Sequence, residues 1–287
     1  MPQIAVVTDT DASIPKPLAA RYGIRQVPII VQFGGEALET GVDIDDASAF
    51  ARIDREGRLP TTSAPPPASF AKAFEAALAD GASTILCFCV SAPVSATYNS
   101  ALIARDMFPG RDIRVIDSEQ ISMAIGFQAL AAARAAEAGA TPEEALAAAA
   151  SVRARVSVYA TLTTLKYLAM SGRVGHLAAG MAGLLDVKPI LSVRNGKLDM
   201  LERVRSRARS WDRLIELTRT FLADRRAEEM AILHVAVPDD AQRLLQQVRA
   251  GLPCPEEIVV AELTPGLSVH GGAGMVGIVA VAEKSGA

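Results

Sequence analysis

Short apolar runs alternate with helical patterns along the first half of the chain, and no other feature restricts the possible folds as much. The runs at 4–7, 27–31, 84–90 and 114–117 are apolar on both faces, as strands of a parallel sheet covered by helices must be. Between them lie helical stripes such as Phe70, Phe74, Ala77 and Leu78, spaced to bury one face. This alternation predicts an α/β layered architecture. An alanine-rich helix pair, at 121–137 and 142–153, closes this half. Thr141-Pro142-Glu143-Glu144 gives the second helix a cap, a proline in the first turn and acids at the positive dipole end.

Past residue 153 the pattern changes. Strands are predicted at 156–162, 188–193, 198–204, 231–235, 258–263 and 276–281. Two of them flank Asn195-Gly196, a strong hairpin signal. Trp211, Leu214, Ile215, Thr218, Phe221 and Leu222 form a helical stripe between strands. The expected fold class is α/β: an N-terminal parallel-sheet α/β domain over 1–153, then a mixed α+β domain over 154–287. The 287 residues suffice for two domains of ordinary size.

Composition excludes several classes of function. Only 5% of residues are aromatic although 50% are hydrophobic, so the core rests on Ala, Val, Leu and Ile. A net charge of −3 gives no overall pull toward nucleic acid or anionic lipid. Arg203, Arg205, Arg207 and Arg209 recur at every second position, which on an extended backbone would put all four on one face. Such a face suits a solvated strand edge or an acidic protein partner. Without interleaved aromatics or a nucleic-acid fold motif it does not argue for nucleic acid. Cys87, Cys89 and Cys254 are odd in number and lack CxxC spacing, so neither a disulfide framework nor a zinc site is expected. Cys87 and Cys89 should be inert thiols on one face of a strand. The uncharged stretches at 81–104 and 263–282 are broken by Pro, Gly, Ser or Thr, which lipid-exposed spans tolerate poorly. The opening Met1-Pro2-Gln3-Ile4 lacks the basic region of a signal peptide. The expectation is a cytoplasmic protein without a membrane span.

Gly272-Ala273-Gly274-Met275-Val276-Gly277 fits the GxGxxG pattern of dinucleotide sites. That pattern functions between a strand and a helix N-terminus. Here the glycines run into a β-like segment and the dinucleotide reading fails. No GxSxG pentapeptide, P-loop or HExxH occurs, and the three histidines are His176, His234 and His270. A Ser-His-Asp triad converges in space rather than in order. An α/β hydrolase or kinase-like enzyme is thus the alternative reading, though no particular serine is nominated. His234, in an apolar run, reads as structural. What remains are two hydroxyl-rich segments, 61–67 and 91–100. Their hydroxyls fit helix caps. They also fit an anion site, because loops after parallel strands at helix N-termini are where α/β sheets bind negative groups.

Seven segments, in order, resemble the DegV family. Thr62-Ser63-Ala64-Pro65 is similar to that family's T-S-x-P-S, and Ser95-Ala96-Thr97-Tyr98-Asn99-Ser100-Ala101 to its S-G-T-Y-x-S-A. Thr8-Asp9-Thr10 and Val115-Ile116-Asp117-Ser118 follow the first and fourth predicted strands as they do in the family. Leu168-Ala169-Met170-Ser171-Gly172-Arg173-Val174 resembles L-x-x-G-G-R-I, Leu184-Leu185-Asp186-Val187-Lys188-Pro189-Ile190-Leu191 resembles L-L-x-I-K-P-I-L, and His270-Gly271-Gly272-Ala273-Gly274 resembles H-x-G-P-G. Ala96, Pro66, Ala273 and Ser171 depart from the pattern. None of these departures removes a hydroxyl or charge assigned to a ligand.

The resemblance implies a carrier that binds one long-chain fatty acid of the palmitate, stearate or oleate type between two α/β domains. It implies presentation of that acid to an ATP-binding fatty acid kinase subunit. Carried over by position, Thr62 and Ser95 would hydrogen-bond the carboxylate, Ser63 would add a backbone N–H or its hydroxyl, and Arg173 and His270 would form an outer shell. No cofactor, no metal and no catalysis by the chain alone are expected. Burying about 15 methylenes at roughly 0.8 kcal/mol each gives on the order of 12 kcal/mol before ordering costs. A carboxylate leaving water needs donors or its burial costs several kcal/mol. The tail would therefore supply affinity and the hydroxyls orientation.

Overall fold

A computed structural model describes residues 3–172 and 187–284. Strand β1 (Ile4–Asp9) leads through a 3-10 turn into α1 (Lys16–Arg21) and β2 (Arg25–Val27). The apolar run expected as one strand at 27–31 is divided by Pro28 into β2 and β3 (Ile30–Phe33), since proline has no N–H to continue a ladder. β3 joins β4 (Glu36–Glu39) and, past α2 (Asp46–Glu56), β5 (Thr61–Ser63) in an antiparallel sheet of order β4-β3-β5. Next come α3 (Pro67–Ala79), β6 (Thr84–Cys89), α4 (Thr97–Asp106) and β7 (Asp112–Asp117). β2, β1, β6 and β7, in that order, form a parallel sheet. Helices α5 (Met123–Glu137) and α6 (Pro142–Arg153) follow, the latter opened by a capping box between Thr141 and Glu144.

The remaining elements are β8 (Val156–Thr161), α7 (Lys166–Met170), β9 (Lys188–Arg194), β10 (Lys197–Val204), α8 (Arg207–Leu222), β11 (Ala227–His234), α9 (Pro238–Gly251), β12 (Val259–Glu262), α10 (Pro265–Gly271) and β13 (Val276–Ala282). Their strands form a mixed sheet of order β10-β9-β8-β13-β11-β12, with β11 and β12 parallel and the other pairs antiparallel. Asn195 and Gly196 join β9 to β10 with φ of 50° and 72°, the doubly left-handed turn that Asn-Gly favours.

Side-chain alternation sorts the sheets into layers. From β6, Ile85, Cys87 and Cys89 face α3 and α4, whereas Leu86 and Phe88, with Val90 just past the strand, face a central core built on α5. That core is closed from the other side by Val158, Ala160, Leu191, Leu233 and Val279 of the mixed sheet. The opposite face of the mixed sheet packs on α8 and α9 through Ile190, Ile232, Ile278, Leu214 and Leu244. Helix α5, with Phe127 and Leu130 buried, thus separates the two larger sheets.

Three sequence features resolve locally. Cys87 and Cys89 are buried with sulfurs 3.8 Å apart, and burial pushes the Cys89 thiol up. Gly272 ends α10 and the chain enters β13, so no helix follows the GxGxxG pattern. The arginines do not share one extended face. β10 ends at Val204, Ser206 caps α8, and Arg207 and Arg209 lie in its first turn, with Arg207 paired to Asp240.

Candidate functional site

In the parallel sheet β1 lies between β2 and β6, so the connections leaving β1 and β6 diverge above the sheet's C-terminal edge. Open α/β sheets bind ligands at this switch point. Asp9 pins the two loops together: its carboxylate accepts from the N–H of Val90 at 2.7 Å and of Asp11 at 2.9 Å. Complete burial outweighs these donors and pushes Asp9 up to about 7. The loop after β7 is stitched to the one after β6 by Ser91 N–H to Gln120 O at 3.0 Å.

Above this edge lies a cavity of about 380 Å³, within the range of small-molecule sites. Its two sides differ in kind. Toward the parallel sheet the lining carries Asp11, Thr62, Ser63, Ser95 and Ser122. Toward the mixed sheet it is Val158, Ala160 and Leu162 from β8 and its end, Leu191 and Val193 from β9, and Leu233 from β11. Alternate residues on a strand project to one face, so this second side is a largely apolar sheet surface, with Ser192 of β9 also in its lining.

The residues expected from sequence fall as follows. Thr62 sits in β5 opposite Val31, on a strand rather than in the expected loop, and its hydroxyl lies 2.9 Å from Nε2 of His270. His270 is in the last turn of α10, not in a free glycine turn, and is 9% exposed. Ser63 lines the cavity from an exposed position at the end of β5. Ser95 also lines it, while its oxygen accepts from the N–H of Thr97 at 3.3 Å and meets the Thr97 hydroxyl at 2.8 Å. The cap position of α4 is Ala96, without a side-chain cap bond, so Ser95 stands one residue before it and is not the expected cap, while it faces the cavity. Arg173 lies outside the described residues, as do Val174 and Leu184-Leu185-Asp186. Asp11 and Ser122 were not singled out from sequence. The available signal was their position, in the connections that follow β1 and β7.

Among the described residues, hydrogen bonds bind the C-terminal elements over this edge. Besides Thr62 to His270, the Ser91 hydroxyl donates to Gly196 O at 2.7 Å, the Thr264 hydroxyl donates to Thr10 O at 3.0 Å, and the Ser268 hydroxyl donates to Asp46 at 2.5 Å. Asp46 is buried on α2, and desolvation, with Glu262 and Asp45 adding, pushes it up to about 7 against the Ser268 bond. Close approach of α10 requires Gly266, where a Cβ would stand 2.3 Å from an Asp11 carboxylate oxygen. Chemically, the arrangement gathers hydroxyls, beside the Asp11 carboxyl group, at one end of a largely apolar chamber. Among the described residues no His/Cys/Asp/Glu cluster could hold a metal ion, and no helix is long and apolar enough to cross a membrane.

A family profile described as "Uncharacterised protein, DegV family" matches residues 3–283. A DegV domain-containing protein of Streptomyces coelicolor is 37% identical over 279 residues, 96% of this chain and 97% of that one. The chain belongs to the DegV family. Its fold is similar to that of a DegV family protein from Thermus thermophilus, described for its fatty acid binding, at TM-score 0.90 and 31% identity, covering 98% of this chain and 100% of that one. DegV of Bacillus subtilis, described as a fatty acid binding protein, matches at TM-score 0.90 and 28% identity, covering 99% and 100%. In this DegV chain three of the segments that carried the resemblance converge. The Thr62 segment forms β5, the Ser95 segment opens α4, and the His270 segment ends α10, all at the cavity.

Proposed function

We propose that this chain is a cytoplasmic carrier that binds one long-chain fatty acid, of the palmitate, stearate or oleate type, between domains spanning 1–153 and 154–287. The observation that carries the reading is the two-sided cavity, with hydroxyls near the edge of the parallel sheet and a largely apolar face of the mixed sheet opposite. A carboxylate would accept from Thr62 and Ser95, with Ser63 nearby. The tail would lie against β8, β9 and β11. His270 would hold the Thr62 hydroxyl in place, and Arg173 would add positive charge outside this shell. The DegV proteins of Thermus thermophilus and Bacillus subtilis, both described for fatty acid binding, support this reading.

The carrier presents its carboxylate to an ATP-binding fatty acid kinase subunit, which transfers a phosphoryl group to make an acyl-phosphate. It needs no cofactor, metal or nucleic acid and does not catalyse alone. The Thr62–His270 pair supports a second reading, since a hydroxyl within hydrogen-bond reach of an imidazole is also how a nucleophile is activated. One experiment separates the two. Palmitate, ATP, Mg²⁺ and the chain are incubated with and without a cognate kinase subunit, and acyl-phosphate is trapped with hydroxylamine. Hydroxamate only when both proteins are present is the expected result. Hydroxamate from this chain alone would make it an enzyme.

A further inference from the structure

Ser122 stands just before α5, in the connection after β7, and lines the same cavity. It is 1% exposed, and its hydroxyl has no hydrogen-bond partner among the described residues. A serine in this position ordinarily turns its oxygen back onto the N–H groups of the first helical turn. Ser122 makes no such cap. Its backbone stands at φ 53°, ψ −146°, while its carbonyl accepts from Ile125 and Gly126 N–H at 2.8 and 3.3 Å. The first turn of the helix is therefore closed by the backbone, and the hydroxyl is left over. A buried hydroxyl without a partner is unfavourable, and here it borders the end of the chamber that also carries Thr62, Ser63 and Ser95.

We propose that Ser122 is a binding residue for the ligand's head group, donating its hydroxyl to a carboxylate oxygen at the N-terminus of α5. This rests on the fatty-acid reading above and extends it. An ionised carboxylate offers about four acceptor positions. Thr62, Ser63 and Ser95 come from β5 and from the start of α4 and leave room for a further donor. Gln120 O accepts from Ser91 N–H, and Ser91 O accepts from Ser95 N–H at 3.1 Å, so the Ser95 and Ser122 loops hold a fixed relation. The two helices that begin there, α4 and α5, each carry partial positive charge at that N-terminus, which favours an anion nearby. The ligand class that completes the site is an acyl chain ending in an anionic oxygen group.

The test compares palmitate with methyl palmitate, which keeps the tail and removes the charge, on the lipid-stripped full chain by calorimetric titration. S122A deletes the hydroxyl. S122G also deletes it and suits the positive φ better, so it keeps the experiment valid should S122A lose stability. Both variants should bind palmitate at least about 10-fold more weakly, with methyl palmitate losing no more than about 3-fold. Unchanged palmitate affinity in the variants, beside a binding wild type, would overturn this proposal and leave the carrier reading intact. Equal losses for both ligands would also overturn it, showing that Ser122 only shapes the chamber. A wild-type chain that binds neither ligand would overturn both.

Discussion

Thr62 and Ser95 carry the account at the scale of single side chains, and they should not respond alike to substitution. Thr62→Val keeps the branched shape that β5 packs and deletes one hydroxyl. Ser95→Ala deletes a hydroxyl that also accepts from the Thr97 N–H at the start of α4. A hydrogen bond to a charged acceptor contributes about 1.5–3 kcal/mol, so each variant should weaken palmitate binding by about 10-fold or more in calorimetric titration. S95A should in addition lower stability by about 0.5–1.5 kcal/mol, the usual net worth of one such hydrogen bond. Wild-type affinity in both variants would move the head group elsewhere. Both residues were nominated in the sequence by the DegV-like motifs that contain them, and both line the cavity. Ser122 was not, since a lone serine before a helix reads as an ordinary cap until its oxygen is seen without a partner. The Asp46–Ser268 contact spans 222 positions, and no local spacing hints at it.

That contact belongs to the scale of elements, where it fastens α10, the helix bearing His270, to α2. Desolvation holds Asp46 at about 7 instead of the ordinary 3.8. Below about pH 4 the carboxyl is protonated in both folded and unfolded chains. Between there and about pH 7 the unfolded chain releases the proton while the folded chain retains it. Folding stability from this group is therefore lost as pH rises through the folded value. Asp46→Asn keeps the contact with Ser268 and removes the titration. Denaturant unfolding should find D46N close to wild type near pH 4, and more stable by on the order of 4 kcal/mol above pH 7. A difference between the two that does not change with pH would contradict this. Elements were legible where periodicity was long. The small β4-β3-β5 sheet was missed because its strands have only 3 or 4 residues, too few to show alternation. The alternate arginines misled for a related reason, since the backbone turns from strand to helix within them at Ser206.

For the whole molecule, the arrangement follows from two sheets that each need both faces covered. α3 and α4 cover one face of the parallel sheet, α8 and α9 one face of the mixed sheet, and α5 fills the space between. The sequence announced both sheets through runs apolar on two faces and through the Asn195-Gly196 turn. The bare apolar surface past the start of α5 was not legible, because it arises from how the sheets are spaced rather than from any segment. On the present account that surface is where the acyl tail lies, and burying about 15 methylenes there is worth on the order of 12 kcal/mol before ordering costs. Affinity of that order should survive purification. The most direct test is native mass spectrometry of the purified chain, followed by denaturation and identification of the released lipid. The account predicts one fatty acid of about 16 to 18 carbons per chain. A chain that is wholly ligand-free, and stays so after incubation with palmitate or oleate, would contradict it.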